Sequence, residues 1–189
     1  MVVGGRNNKS PALAGVELLE WNVQRRWWPL PSLLTPRCGC AIVSLPTVVQ
    51  TRSETPEAAS NAGARTRSQL FVLGGVNDAS QPLATMESYV HRGGSETGWE
   101  EVPGLMSVSR MYPSAVSFVD RTPGSEAEEG KILVMGGRDK TWQELDSCEL
   151  FSTTAGEWKS VSAMSKPRFG SAAVYLKQSH SVPSHLPSQ

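Results

Sequence analysis

Three arginines, Arg37, Arg110 and Arg168, stand at the same point of a recurring pattern. Each follows a loop and leads into small and β-branched residues. The three versions are Pro36-Arg37-Cys38-Gly39-Cys40-Ala41-Ile42-Val43, Arg110-Met111-Tyr112-Pro113-Ser114-Ala115-Val116 and Pro167-Arg168-Phe169-Gly170-Ser171-Ala172-Ala173-Val174. A guanidinium is a planar fork that grips a carboxylate or phosphate with two parallel hydrogen bonds. Equivalent forks on stacked units would line up at one end of the molecule and suit an acidic peptide. The competing role is internal: bonding to neighbouring loops and carbonyls, and holding the units in register. The binding reading predicts that Arg110 and Arg168 are both solvent-accessible at the same end, and that binding there weakens with salt.

Other chemistry-bearing groups are sparse. Cys38-x-Cys40 has a metal-like spacing, but a closed zinc site needs four suitably placed ligands. The only histidines, His91, His180 and His185, do not supply them. Strand alternation puts both cysteines on one face, where small side chains fit a crowded interface. Arg25-Arg26-Trp27-Trp28 has the makings of a nucleic-acid patch. In the repeat, however, Trp28 takes a packing position and only Trp27 is left over. Gly-Gly-Val-Asn and Gly-Gly-Arg-Asp are turn chemistry rather than a phosphate cradle. No Ser/His/Asp, paired-carboxylate or phosphate-loop arrangement stands out. The sequence therefore calls for no enzyme, no metal and no cofactor.

Composition narrows the partners further. Eighteen basic residues balance eighteen acidic ones, so no bulk charge draws the chain to nucleic acid or to an anionic membrane. No apolar run approaches the ~20 residues needed to span a bilayer as a helix. Met1 leads directly into an apolar pair and Gly-Gly rather than into a secretory signal. The three cysteines form no even framework and suit a reducing, cytoplasmic setting.

The elements that must position the arginines repeat with them. A hydrophobic run ending in Gly-Gly occurs at Val2-Val3-Gly4-Gly5, at Leu70-Phe71-Val72-Leu73-Gly74-Gly75 and at Ile132-Leu133-Val134-Met135-Gly136-Gly137. An acidic-aromatic segment follows each, ending in Trp21, Tyr89 or Phe151, and then a tryptophan, Trp28, Trp99 or Trp158. Trp21 to Trp28 and Phe151 to Trp158 are both seven positions. A fixed internal order at a period of tens of residues means one supersecondary unit stacked on itself. The apolar runs are short, Val-rich and bounded by Gly, Pro and Asp, so each unit reads as four short strands. The Gly pairs suit strand ends with positive φ or close backbone approach.

This order resembles the kelch repeat, whose hallmark is four hydrophobic residues, Gly-Gly, then Tyr and Trp. The resemblance covers Val2 to about Tyr175, with repeats near 1–45, 70–119 and 132–176. It implies an all-β fold, in which each repeat is a four-stranded antiparallel blade of a β-propeller. It also implies a non-catalytic protein-protein interaction scaffold. Family members often recognise substrates for ubiquitin ligases or bind the cytoskeleton, and in adaptors the arginines at this strand face the binding surface. A ligase adaptor usually carries a recruiting module ahead of the propeller, for which this chain has no room. Sugar-binding or sugar-modifying relatives are the alternative, and a truncated fragment without independent function is a third. The family's copper radical oxidases need Tyr and His ligands on the axis. Here the tyrosines are Tyr89, Tyr112 and Tyr175, with Tyr89 in a packing slot.

The Gly pairs lie 70 and then 62 positions apart, longer than the ~50 residues usual for the family. Two insertions poor in large apolar residues, about 47–69 and 121–131, account for the excess and read as disordered. The tail 177–189 reads likewise. Counting strands gives three at the start, two sets of four, and a single strand near Ser171 to Leu176. That is about three blades' worth, an incomplete propeller. Closed rings have about four to eight blades, so the arc should have open edges. A fragment of a longer ring is one expectation. A homodimer closing six blades between two chains is the other.

Overall fold

The computed structural model describes residues 1–21, 25–49, 65–90, 98–121 and 128–177. All eleven elements are strands, and no helix occurs among the described residues. They form three antiparallel sheets that do not close on one another. The first sheet holds β1 (Val2–Val3), β2 (Val16–Glu20) and β3 (Arg26–Leu30), in that order. The second holds β4 (Ala41–Val49), β5 (Arg65–Leu73), β6 (Met86–Val90) and β7 (Trp99–Val102). The third holds β8 (Ser114–Asp120), β9 (Glu129–Met135), β10 (Cys148–Ser152) and β11 (Glu157–Val161). Two sheets are thus complete blades, and the first lacks one strand.

The blades pack face to face through two apolar layers. Val16 and Leu33 of the first unit meet Val72, Tyr89 and Trp99 of the second. Val43, Leu45, Phe71, Leu73 and Met86 of the second meet Ile132, Val134 and Phe151 of the third. Alternation along each strand makes this possible, because neighbouring residues point to opposite faces. Leu73 therefore faces forward while Val72 faces back, and both are 0% exposed.

Register decides which residues are equivalent, and here the expectation for the first unit fails. Tyr89 pairs with Trp99, and Phe151 with Trp158. The corresponding pair in the first sheet is Leu19 with Trp27, not Trp21 with Trp28. Trp21 lies beyond the strand, is 73% exposed and carries the Arg25 guanidinium over its ring at 4.9 Å. Trp28 is also exposed, covered in part by Arg26 at 4.4 Å, and donates its indole N–H to Glu20. The seven-residue spacing that suggested the other alignment is coincidental.

Two other expectations need correction. Pairing of β4 with β5 continues through Thr47–Arg67, Val48–Thr66 and Val49–Arg65. In the third blade, β9 already begins at Glu129. β4 and β5 therefore run into the first insertion and β9 into the second, while residues 50–64 and 122–127 of the insertions and 178–189 of the tail lie outside the described residues. The strand expected near Ser171 to Leu176 is not formed. A strand needs a neighbouring backbone to bond, and no strand among the described residues pairs with it. The segment still lies against β8, with Ser114 Oγ bonded to the Ser171 carbonyl at 2.6 Å and Tyr175 stacked on Phe118 at 4.9 Å.

Candidate functional site

All six Gly-pair glycines have positive φ, from 61° to 103°. At the first of each pair a Cβ would strike backbone: the Arg37 carbonyl at 2.5 Å for Gly4, the Arg110 carbonyl at 2.8 Å for Gly74 and the Arg168 carbonyl for Gly136. The second glycine's N–H donates to that same carbonyl, at 2.8 Å in every unit. The Gly pair thus clamps the arginine's backbone, and the arginine side chain is left to point at the next blade.

There it meets a glutamate. Arg37 donates through Nε at 3.1 Å and Nη2 at 2.8 Å to Glu87 Oε1. Nη1 reaches the Gly74 and Thr85 carbonyls, and Nη2 also donates to the Thr85 hydroxyl. Glu87 also accepts the backbone N–H groups of Leu34 and Thr35. Arg110 repeats the arrangement with Glu149 at 2.9 Å, the Gly136 and Ser147 carbonyls, and the Ser147 hydroxyl, while Ser107 N–H bonds Glu149. It differs in two respects among the described residues: Arg110 Nε has no partner, and Glu149 accepts one backbone N–H where Glu87 accepts two. The side chains in both pairs are at most 2% exposed.

This overturns the expected accessibility of Arg110. Arg37 and Arg110 are sealed between blades, where a peptide could reach them only by displacing a buried carboxylate. The internal role, holding units in register, is what their geometry does. Arg168 alone is exposed, and it forms no ion pair among the described residues. Glu87 and Glu149 were missed in the sequence, although a signal existed. Glu17, Glu87 and Glu149 each follow the first residue of the strand after a Gly pair.

Cys38 and Cys40 do not sit within a regular strand, since β4 begins at Ala41. Cys38 makes a two-way backbone bridge to Val76, and Cys40 packs on the layer between the first two blades. Burial pushes the Cys40 thiol up from its ordinary value, against the pull of Arg37. Both cysteines and Cys148 are free thiols, and no cluster of metal-ligating side chains occurs among the described residues. No helix among them is long and apolar enough to cross a membrane.

The turn following each Gly pair is open to solvent. Asn7, Asn77 and Asp139 occupy the same place and cap the turn with a side-chain oxygen. Such Asx caps let a short polar residue replace a backbone turn. In the third blade the turn carries Trp142 at φ 65° and 59% exposed. Beside it, the Arg138 guanidinium lies 3.6 Å from the Phe169 ring centre and 5.9 Å from that of Trp142, and bonds Glu144 at 3.1 Å. Hydrogen bonds from Thr141 hold the Asp139 carboxyl below its ordinary value.

Residues 129–165 match the family described as Kelch motif. That stretch is similar to a kelch repeat. It opens at the first residue of β9, takes in β10 and β11, and stops three residues short of Arg168. No curated protein matches the chain.

Proposed function

We propose that this chain is a non-catalytic scaffold that binds a protein partner through the turns following its Gly pairs. The observation that carries this reading is Trp142, held outward on the turn of the kelch repeat. Its positive φ is shared with Ser80 at the same place in the second blade's turn, so the turn sets the backbone, and what is particular to Trp142 is the large ring it presents to solvent. An exposed tryptophan is a common anchor of protein interfaces. Lys140 and half-buried Arg138 flank it, which suits a peptide that places a carboxylate beside an apolar side chain. Kelch repeats generally mediate protein interactions, and three free thiols suit a reducing, cytoplasmic compartment.

The test is affinity capture from lysate with the wild-type chain and with Trp142→Ala. The variant should keep its melting temperature, because an exposed side chain contributes little to folding. It should lose at least about tenfold in recovery of specific partners, as truncation of an interface anchor does. Equal recovery by both proteins overturns the assignment.

A further inference from the structure

The two ends of the arc carry the two halves of one lock. Glu17 is the counterpart of Glu87 and Glu149, as the register of β2 against β1 shows. Unlike them it is exposed. Arg168 is the counterpart of Arg37 and Arg110, and it too is exposed. Its backbone is already set as theirs is, with its carbonyl bonded by Gly137 N–H and its own N–H bonded to Leu145. Ser165 stands where Leu34 and Ser107 donate to the inter-blade glutamate.

Apolar residues follow the same rule. Val2 is 53% exposed, whereas its equivalents Val72 and Val134 are both 0%. At the other end Val174 and Leu176 are 76% and 77% exposed, whereas their equivalents Val43 and Leu45 are 7% and 3%. Positions that are core in the second blade are bare at the ends of the arc, and the two ends carry opposite charges at Glu17 and Arg168.

We propose that two copies of this chain join end to end. Arg168 of each receives Glu17 of the other, and residues 172–176 of each supply the strand missing beside the other's β1. Two such contacts close a two-fold ring of six blades, within the size range of closed propellers. Phe169 and Arg6 would then form the backbone bridge that joins Cys38 to Val76 and Met111 to Arg138. One bond is lost relative to the inner sockets. Gly15 stands where Thr85 and Ser147 offer a hydroxyl to the arginine.

Light scattering after size exclusion tests this on the full chain and on two charge reversals, Arg168→Glu and Glu17→Arg. Wild type should run as a dimer, at twice 20.4 kDa. Each reversal alone puts like charges in both contacts and should weaken association at least about tenfold. Mixing the two reversals restores an opposite-charge pair at both contacts, so the mixture should return to the dimer mass. Both groups are exposed, so circular dichroism should show both variants folded. A monomeric wild type overturns the proposal, whether the ends stay bare or another protein covers them. So does a dimer unaffected by either reversal, or a mixture that stays monomeric.

Discussion

The Arg37 socket and the Arg168 socket are made from the same residue type on the same backbone clamp, yet they differ in everything that matters energetically. Arg37 is 0% exposed and paired with a glutamate that also accepts two backbone N–H groups. Arg168 faces solvent without an ion pair among the described residues. A buried pair is worth little net against an apolar replacement, but removing one partner strands the other as an unpaired buried charge. An exposed arginine has no such hold. The Gly-pair clamp orients the guanidinium, while the facing blade decides whether it becomes scaffold or open valence.

Stability measurements can break this comparison. Arg37→Ala should cost about 3–5 kcal/mol, because it leaves Glu87 charged and buried. Arg168→Ala, measured by urea titration on dilute monomer, should fall within about 0.5 kcal/mol of wild type. Equal losses at the two positions would mean that the facing blade does not set the role.

A smaller effect is expected from the clamp itself. Gly136→Ala forces a Cβ at φ 62° against the Arg168 carbonyl. The left-handed conformation alone should cost about 1–2 kcal/mol, read as a lower urea midpoint at unchanged slope. A neutral result would show that the arginine backbone is free to move and is not set by the Gly pair.

The smallest effect concerns the turn that presents Trp142. Asp139 has its carboxyl held down by Thr141 and by backbone N–H groups of Thr141 and Gln143. A depressed folded value means the turn's stabilisation is complete above the ordinary aspartate value of 3.8 and is lost as pH falls through the lower folded value. Side-chain carboxyl NMR should therefore give an Asp139 midpoint below 3.8. An ordinary midpoint would show that the cap is not populated in solution.

Much of this was legible in the residues. The Gly pairs, the apolar runs before them and the recurring arginines gave four-stranded units, because strand and turn chemistry is local. Complete blades appear where two full sets of strands were counted. The first unit's aromatic alignment was not legible. Trp21 and Trp28 matched a spacing, but cross-strand register depends on the whole hairpin, and register placed Leu19 opposite Trp27. The reach of β4 and β5 into the first insertion was equally hidden, since Arg65, Thr66 and Arg67 look like loop in composition and are ordered by the partner strand.

The sequence by itself determined the repeating unit, its strand content and the position of each arginine within it, since all three follow from patterns a few residues long. The tertiary structure decided what those arginines do. Glu87 lies 50 positions from Arg37, and Glu149 lies 39 from Arg110. Only the stacking of one blade on the next brings each pair together out of water, and the same stacking leaves Arg168 and Glu17 exposed at opposite ends of the arc.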